Sequence, residues 1–194
     1  YNLMAYTPFS SGWGETVQSK GSFWLGDRDR MDNTVTYVTP NFAGVQVYAQ
    51  YSFNRDGQET AGNERQNDRY AALGATYKNG AFSSALIVDT VMHSYSSTNQ
   101  EDSLGVTLGA SYDFEVVKLF AQAQYGKNET LSVEALTGED GVKKINVKGY
   151  NLHIGAATPL PCGTLTVSAY YGDYEMVGNN EVTAKKYGIG LMHE

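Results

Sequence analysis

An all-β antiparallel transmembrane β-barrel is the fold class this sequence predicts, and three observations carry it. Nine stretches alternate apolar and polar residues with a period of two, which puts one kind of residue on each face of an extended strand. Their connections alternate too, a long polar segment with a short turn, so that all long loops fall at one end of the strands and all short turns at the other. The apolar faces begin or end in aromatics, whereas the opposite faces are glycine, serine, threonine and glutamine, too small and polar for the core of a soluble domain.

The first 31 residues show no sustained alternation and carry Pro8, Gly12, Gly14, Gly21 and Gly26, which predicts a long irregular loop; a loose terminal tail is the alternative reading. A hairpin follows. Val35 and Tyr37 alternate with Thr34 and Thr36, the chain turns through Thr39-Pro40-Asn41-Phe42-Ala43-Gly44, and Val45, Val47, Ala49, Tyr51 and Phe53 then oppose Gln46, Tyr48, Gln50 and Ser52. Asn54 to Asp68 is too polar to bury and reads as a solvent-facing loop.

Tyr70 to Lys78 places Ala71, Leu73, Ala75 and Tyr77 on one face, and Asn79-Gly80 is a strong hairpin signal. Phe82, Leu86, Val88 and Met92 continue the apolar face less cleanly, because Ile87 and Val91 share the other side with Asp89. After the polar loop Ser94 to Glu101, Leu104, Val106, Leu108, Ala110, Tyr112 and Phe114 oppose Ser103, Gly105, Thr107, Gly109, Ser111 and Asp113. A turn at Glu115-Val116 leads into Val117, Leu119, Ala121, Ala123 and Tyr125, opposite Lys118, Phe120, Gln122 and Gln124.

Lys127 to Val147 is expected as a long charged loop. Tyr150, Leu152, Ile154, Ala156 and Thr158 then oppose Asn151, His153, Gly155 and Ala157, and Pro159 to Gly163 reverses the chain into Leu165, Val167, Ala169 and Tyr171. One more loop around Gly178-Asn179-Asn180 precedes Tyr187, Ile189 and Leu191, facing away from Lys186, Gly188 and Gly190. Tyr37, Phe53, Tyr77, Phe82, Tyr112, Phe114, Tyr125, Tyr150, Tyr171 and Tyr187 form the expected aromatic girdles.

Composition agrees with a strand-built wall and removes other classes. With 21 Gly, 15 Tyr and a mean hydropathy of -0.39, no stretch reads as a membrane-spanning helix of about 20 apolar residues. The net charge of -7, with scattered basic residues, argues against nucleic acid as a partner. Cys162 is the sole cysteine and no Cys/His spacing suits zinc, so no disulfide, metal or cofactor is expected. Gly26-Asp27-Arg28-Asp29-Arg30-Met31-Asp32 approaches a calcium loop, but arginines intervene, Met31 takes a ligand position and Asp32 stands where the tight turn wants glycine. His93, His153 and His193 lie on separate elements, Asn128-Glu129-Thr130 is read as an inert sequon, and no nucleophile or phosphate-loop motif supports an enzyme. No leader is apparent at Tyr1, so the chain reads as mature or as a fragment.

The stretch DNTVTYVTPNFAGVQVYAQYSF, Asp32 to Phe53, resembles the hairpin of the general porins of Gram-negative bacteria, the trimeric 16-stranded barrels of the Neisseria, Burkholderia and Comamonas type. Beyond it the resemblance is one of rhythm, and together they cover most of the chain. It implies a single porin β-barrel domain over 1–194, an internal portion in which 1–31 is the pore-constricting loop and 33–194 supply strands, periplasmic turns and extracellular loops. The family pattern would add about five strands before Tyr1 and about two after Glu194, since complete bacterial barrels have even strand numbers.

The resemblance further implies passive diffusion of small hydrophilic solutes and ions, a homotrimer, outer-membrane lipid around the barrel and no cofactor. Phe9, Trp13, Phe23 and Trp24 would anchor the loop, and Glu15, Asp27, Arg28, Asp29 and Arg30 would stand at the constriction. Thr36, Gln46, Gln50, Asp89, Thr107, Lys118, Gln122, Gln124, His153 and Lys186 fall on the polar face and would line the pore. Many family members carry a basic residue where Thr36 stands, so the loop acids are expected to tilt the pore toward cations. Two other readings stay open: an adhesin or enzyme on an outer-membrane barrel, and a soluble β-sandwich binding module.

Overall fold

The computed structural model describes residues 3–9, 25–26, 31–55, 67–94, 101–132, 144–176 and 180–193. Among them nine antiparallel strands form one sheet, each paired with its neighbours in sequence. They are β1 (Thr34–Val38), β2 (Val45–Ser52), β3 (Arg69–Asn79), β4 (Phe82–Met92), β5 (Leu104–Asp113), β6 (Lys118–Ser132), β7 (Lys144–Leu160), β8 (Gly163–Met176) and β9 (Asn180–Met192).

Residues directly opposite in an antiparallel pair share a face, so the register sorts the sheet into rows. One row runs Val47, Ala75, Leu86, Leu108, Ala123, Leu152 and Tyr171 across β2 to β8. This face is open: Ile154 is 64% and Ile189 75% exposed, while on the opposite face Gln122 is 4% and Asn151 0% exposed. Burial is inverted relative to a water-soluble sheet, which would hide its aliphatic residues from water. The apolar face carries the aromatics in two belts. Tyr77 and Phe82, then Tyr112 and Phe114, pair at the short-turn end with ring centroids 6.1 and 4.4 Å apart; Tyr150 and Tyr171 pair toward the other end at 6.2 Å.

Each short turn has a local cause. Asn41 Oδ1 accepts the Gly44 N–H at 3.0 Å, closing the β1–β2 turn, and Asp113 Oδ1 accepts the Glu115 N–H at 2.9 Å between β5 and β6. Between β7 and β8 only Pro161 and Cys162 intervene, and Gly163 has a φ of +134° with the Met192 carbonyl oxygen crowding the place where a Cβ would stand. No other residue fits there.

Three expectations are corrected. The region Lys127 to Val147 is strand at both its ends, with β6 continuing to Ser132 and β7 starting at Lys144. A bulge between Gly126 and Glu129, with Asn128 at φ +54°, shifts the side-chain phase, so a single period-two reading loses the strand at that point. The loop expected around Gly178-Asn179-Asn180 falls between β8 and β9, but the strands run further than the alternation showed, β8 on to Met176 and β9 back to Asn180. On the face that is apolar lower down their last residues are polar, Asp173 opposite Thr183 and Glu175 opposite Glu181, while Tyr174 opposite Val182 lies on the other face, so the alternation is inverted there. Within the first 31 residues, Leu3–Tyr6 forms a 3-10 turn rather than irregular chain.

Candidate functional site

The polar face is the candidate site, and its rows gather the residues picked out by alternation. One row reads Gln46, Thr76, Ala85, Gly109, Gln122, His153, Tyr170 and Lys186. The next reads Tyr48, Gly74, Ile87, Thr107, Gln124, Asn151, Gly172 and Ala184. Thr36, Gln50 and Asp89 fall on a third row, and Lys118 lies opposite Ala157 near the short-turn end. All the wall candidates therefore share one face.

They do not share one environment. Thr36 is exposed on β1, Gln46, Gln50, Lys118 and Lys186 are half-buried, and Asp89, Thr107, Gln122, Gln124 and His153 are buried. These five do not stand in the open, and N-terminal residues lie on this face, Leu25 against Gln124 among them. Tyr6 Oη comes within 3.3 Å of Ser83 Oγ on β4, and the Pro8 ring sits over Gly155, where a Cβ would be 2.5 Å from Pro8 Cγ. Phe9, expected as an anchor, is buried. Trp13, Phe23 and Trp24, and the constriction candidates Glu15, Asp27, Arg28, Asp29 and Arg30, lie outside the described residues.

The best-defined polar contacts on this face involve Leu25. Its N–H donates to Gln124 Oε1 at 2.9 Å, Gln124 Nε2 donates to its carbonyl at 2.9 Å, and Asn151 Nδ2 donates to the same Oε1 at 2.9 Å. Its side chain packs with Val147, Tyr170, Tyr174 and Ala184. Nearer the short turns, the Lys118 ammonium lies 5.4 Å from the Phe120 ring centroid, a cation–π contact that steers the charge along the wall.

A second polar knot ties strand ends on the long-loop side. Asp68 accepts the Ser94 N–H at 2.7 Å and faces His93 Nδ1 at 3.0 Å, the His93 N–H donates to Asp102 at 2.9 Å, and Asn128 Nδ2 donates to Glu101 at 3.0 Å. Burial pushes the Asp68 carboxyl up, but the Ser94 and His93 hydrogen bonds and the charge of His93 outweigh it, leaving the group below its ordinary value.

Alternation alone singled out neither Leu25, Asn151, Tyr170 nor Tyr174 as site residues. Tyr170 had a signal in its position: it is a large ring in a row that otherwise holds Gln46, Thr76, Ala85, Gly109, Gln122, His153 and Lys186.

The description "Gram-negative porin" belongs to the family model that matches residues 1–194. An outer membrane porin protein of Bordetella pertussis is 33% identical over 121 residues, 58% of this chain and 31% of that protein. "Outer membrane porin protein 32" of Delftia acidovorans is 34% identical over 101 residues, 50% of this chain and 27% of its own. Among solved structures, the anion-selective porin from Comamonas acidovorans superposes with a TM-score of 0.59 at 24% identity, over 97% of this chain and 54% of that one. A porin refined at 1.8 Å resolution superposes with a TM-score of 0.52 at 15% identity, over 81% and 50%. The matched stretches thus span less than a third of the curated relatives and about half of the solved porins.

Proposed function

The chain belongs to the Gram-negative porin family and with it to the bacterial outer membrane, and we propose that it forms part of a general diffusion channel for small hydrophilic solutes and ions. The inverted burial of the sheet carries the reading: an aliphatic face with aromatic belts suits hydrocarbon, and a face of glutamine, threonine, asparagine and lysine suits water. A spanning sheet must leave no open edge in lipid, so β1 and β9 require further strands for closure, which fits a 16-stranded barrel. Homotrimeric assembly, a channel without catalysis, and a constricting loop bearing Glu15, Asp27, Arg28, Asp29 and Arg30 belong to the same proposal.

The polar face supports a water-filled lumen over an adhesin or enzyme scaffold. Purified protein should be extracted only by detergent and should raise the conductance of a planar bilayer in discrete steps; soluble protein, or a bilayer left silent, would refute the reading. The Comamonas porin is anion-selective. For this chain we propose a tilt toward cations, because Thr36 offers no wall charge and the loop segment supplies acids.

A further inference from the structure

We infer that Gln124 and Asn151, together with a glycine-lined socket on β6, β7 and β8, form a latch that positions the segment at Leu25-Gly26 on the inner wall and thereby sets the bore and steadiness of the channel. The inference rests on the porin reading above.

The Gln124 amide takes both main-chain polar groups of Leu25, as a neighbouring strand would, although 99 residues separate them in sequence. The Oε1 atom receives two donors, from Leu25 and from Asn151, which uses both of its lone pairs and fixes which way the amide points. Turning the amide over would face the NH2 group toward two donors and lose all three bonds.

The socket is shaped for its occupant. A Cβ on Gly126 would lie 2.8 Å from Leu25 Cδ1, and one on Gly172 would collide with the Tyr174 hydroxyl. The absent side chains make the recess into which Leu25 inserts beside Tyr170 and Tyr174, leaving Leu25 2% exposed. Gly26 follows at φ +86°, a backbone conformation that favours glycine.

These bonds hold the segment, not the wall. β6, β7 and β8 complete their ladders with one another and with β5 and β9, so the sheet does not depend on Gln124's side chain. In a wet lumen, water can replace the amide at Leu25, so undocking is an accessible equilibrium rather than an unfolding event. Loss of two amide hydrogen bonds should raise the undocked population roughly tenfold.

Single-channel recordings of the full-length protein test this with Gln124→Leu, Leu25→Ala, the double variant and Asn151→Ala. Gln124→Leu, which removes the amide bonds, and Leu25→Ala, which empties the recess, should each raise open-channel noise and the frequency of voltage-driven closure by roughly tenfold, and the double variant should exceed either single, because both contributions act on one docking equilibrium. Heat-modifiable migration of the barrel in detergent gels should stay as in the parent. Should Gln124→Leu fail to assemble, Asn151→Ala, which frees the amide to turn while leaving its bonds to Leu25 possible, should give a smaller gating change in the same direction. Intact variants with parental noise, closure and conductance overturn the latch and leave the porin reading standing; a parent that gives no stepwise conductance overturns both.

Discussion

Replacing Leu108 by arginine puts a guanidinium in the middle of the exposed apolar face. Leu108 lies opposite Leu86 on β4 and Ala123 on β6 and is 48% exposed. If that face meets hydrocarbon, the charge costs about 2–4 kcal/mol at mid-depth, a roughly 30- to 900-fold loss in the folding equilibrium. The cost should decay along the strand. Phe114 is six residues further on, or about 20 Å at ~3.4 Å per residue, and a tilt of about 40° leaves about 15 Å of depth. That exceeds half of an apolar band about 25 Å tall, so Val116→Arg, in the turn just beyond, should cost about 0–1 kcal/mol. On the polar face, Gln50→Arg keeps its charge in water and should cost under about 1 kcal/mol. Thr107, beside Leu108 in sequence, is a poor control because it is 5% exposed and lies next to Gln124. Equilibrium unfolding by guanidinium chloride in phosphatidylcholine vesicles, followed by gel migration, measures all three. A Leu108→Arg protein within about 1 kcal/mol of the parent, or Gln50→Arg as damaging as Leu108→Arg, would refute the assignment of faces.

Gly163→Ala should destabilise more than Gly80→Ala in the same assay: both glycines have positive φ, which costs a side chain about 1–2 kcal/mol, but only at Gly163 would the new Cβ collide with a carbonyl. The Asp68 carboxyl is held below its ordinary value of 3.8, so its contribution to stability is full above that pH and is lost as pH falls through the lower folded value; Asp68→Asn should flatten the drop in unfolding midpoint below pH 4. Reversal potentials in a salt gradient should shift toward anions on combining Glu15→Gln, Asp27→Asn and Asp29→Asn, and an unchanged preference would remove these acids from the constriction.

The strand number and facing of the wall were legible because lipid on one side and water on the other write themselves into sequence at period two. Leu108 against Thr107 and Leu152 against Asn151 needed no more than that. The upper parts of β6 to β9 were not legible. One extra residue at the Asn128 bulge reverses the phase, and Asp173, Glu175 and Lys185 stand on the face that is apolar lower down. The candidate site was half legible. Alternation assigned Gln124 and His153 to the polar face, but alternation reports direction and not company: that Gln124 would meet Leu25 depends on a segment docked from elsewhere in the chain.

The strands are unequal, and the inequality shapes the mouth. β2 has 8 residues and β7 has 17. At ~3.4 Å per residue and a tilt of about 40°, they rise to about 20 and about 45 Å respectively, so β2 scarcely spans the apolar band whereas β7 overtops it by about 20 Å. Among the described residues the strands on the β6–β8 flank thus stand well above those on the β1–β2 flank, a parapet at the long-loop end of the sheet. In the proposed channel, any charge on the parapet's inner surface would act on a solute well before it reached the depth of the bilayer.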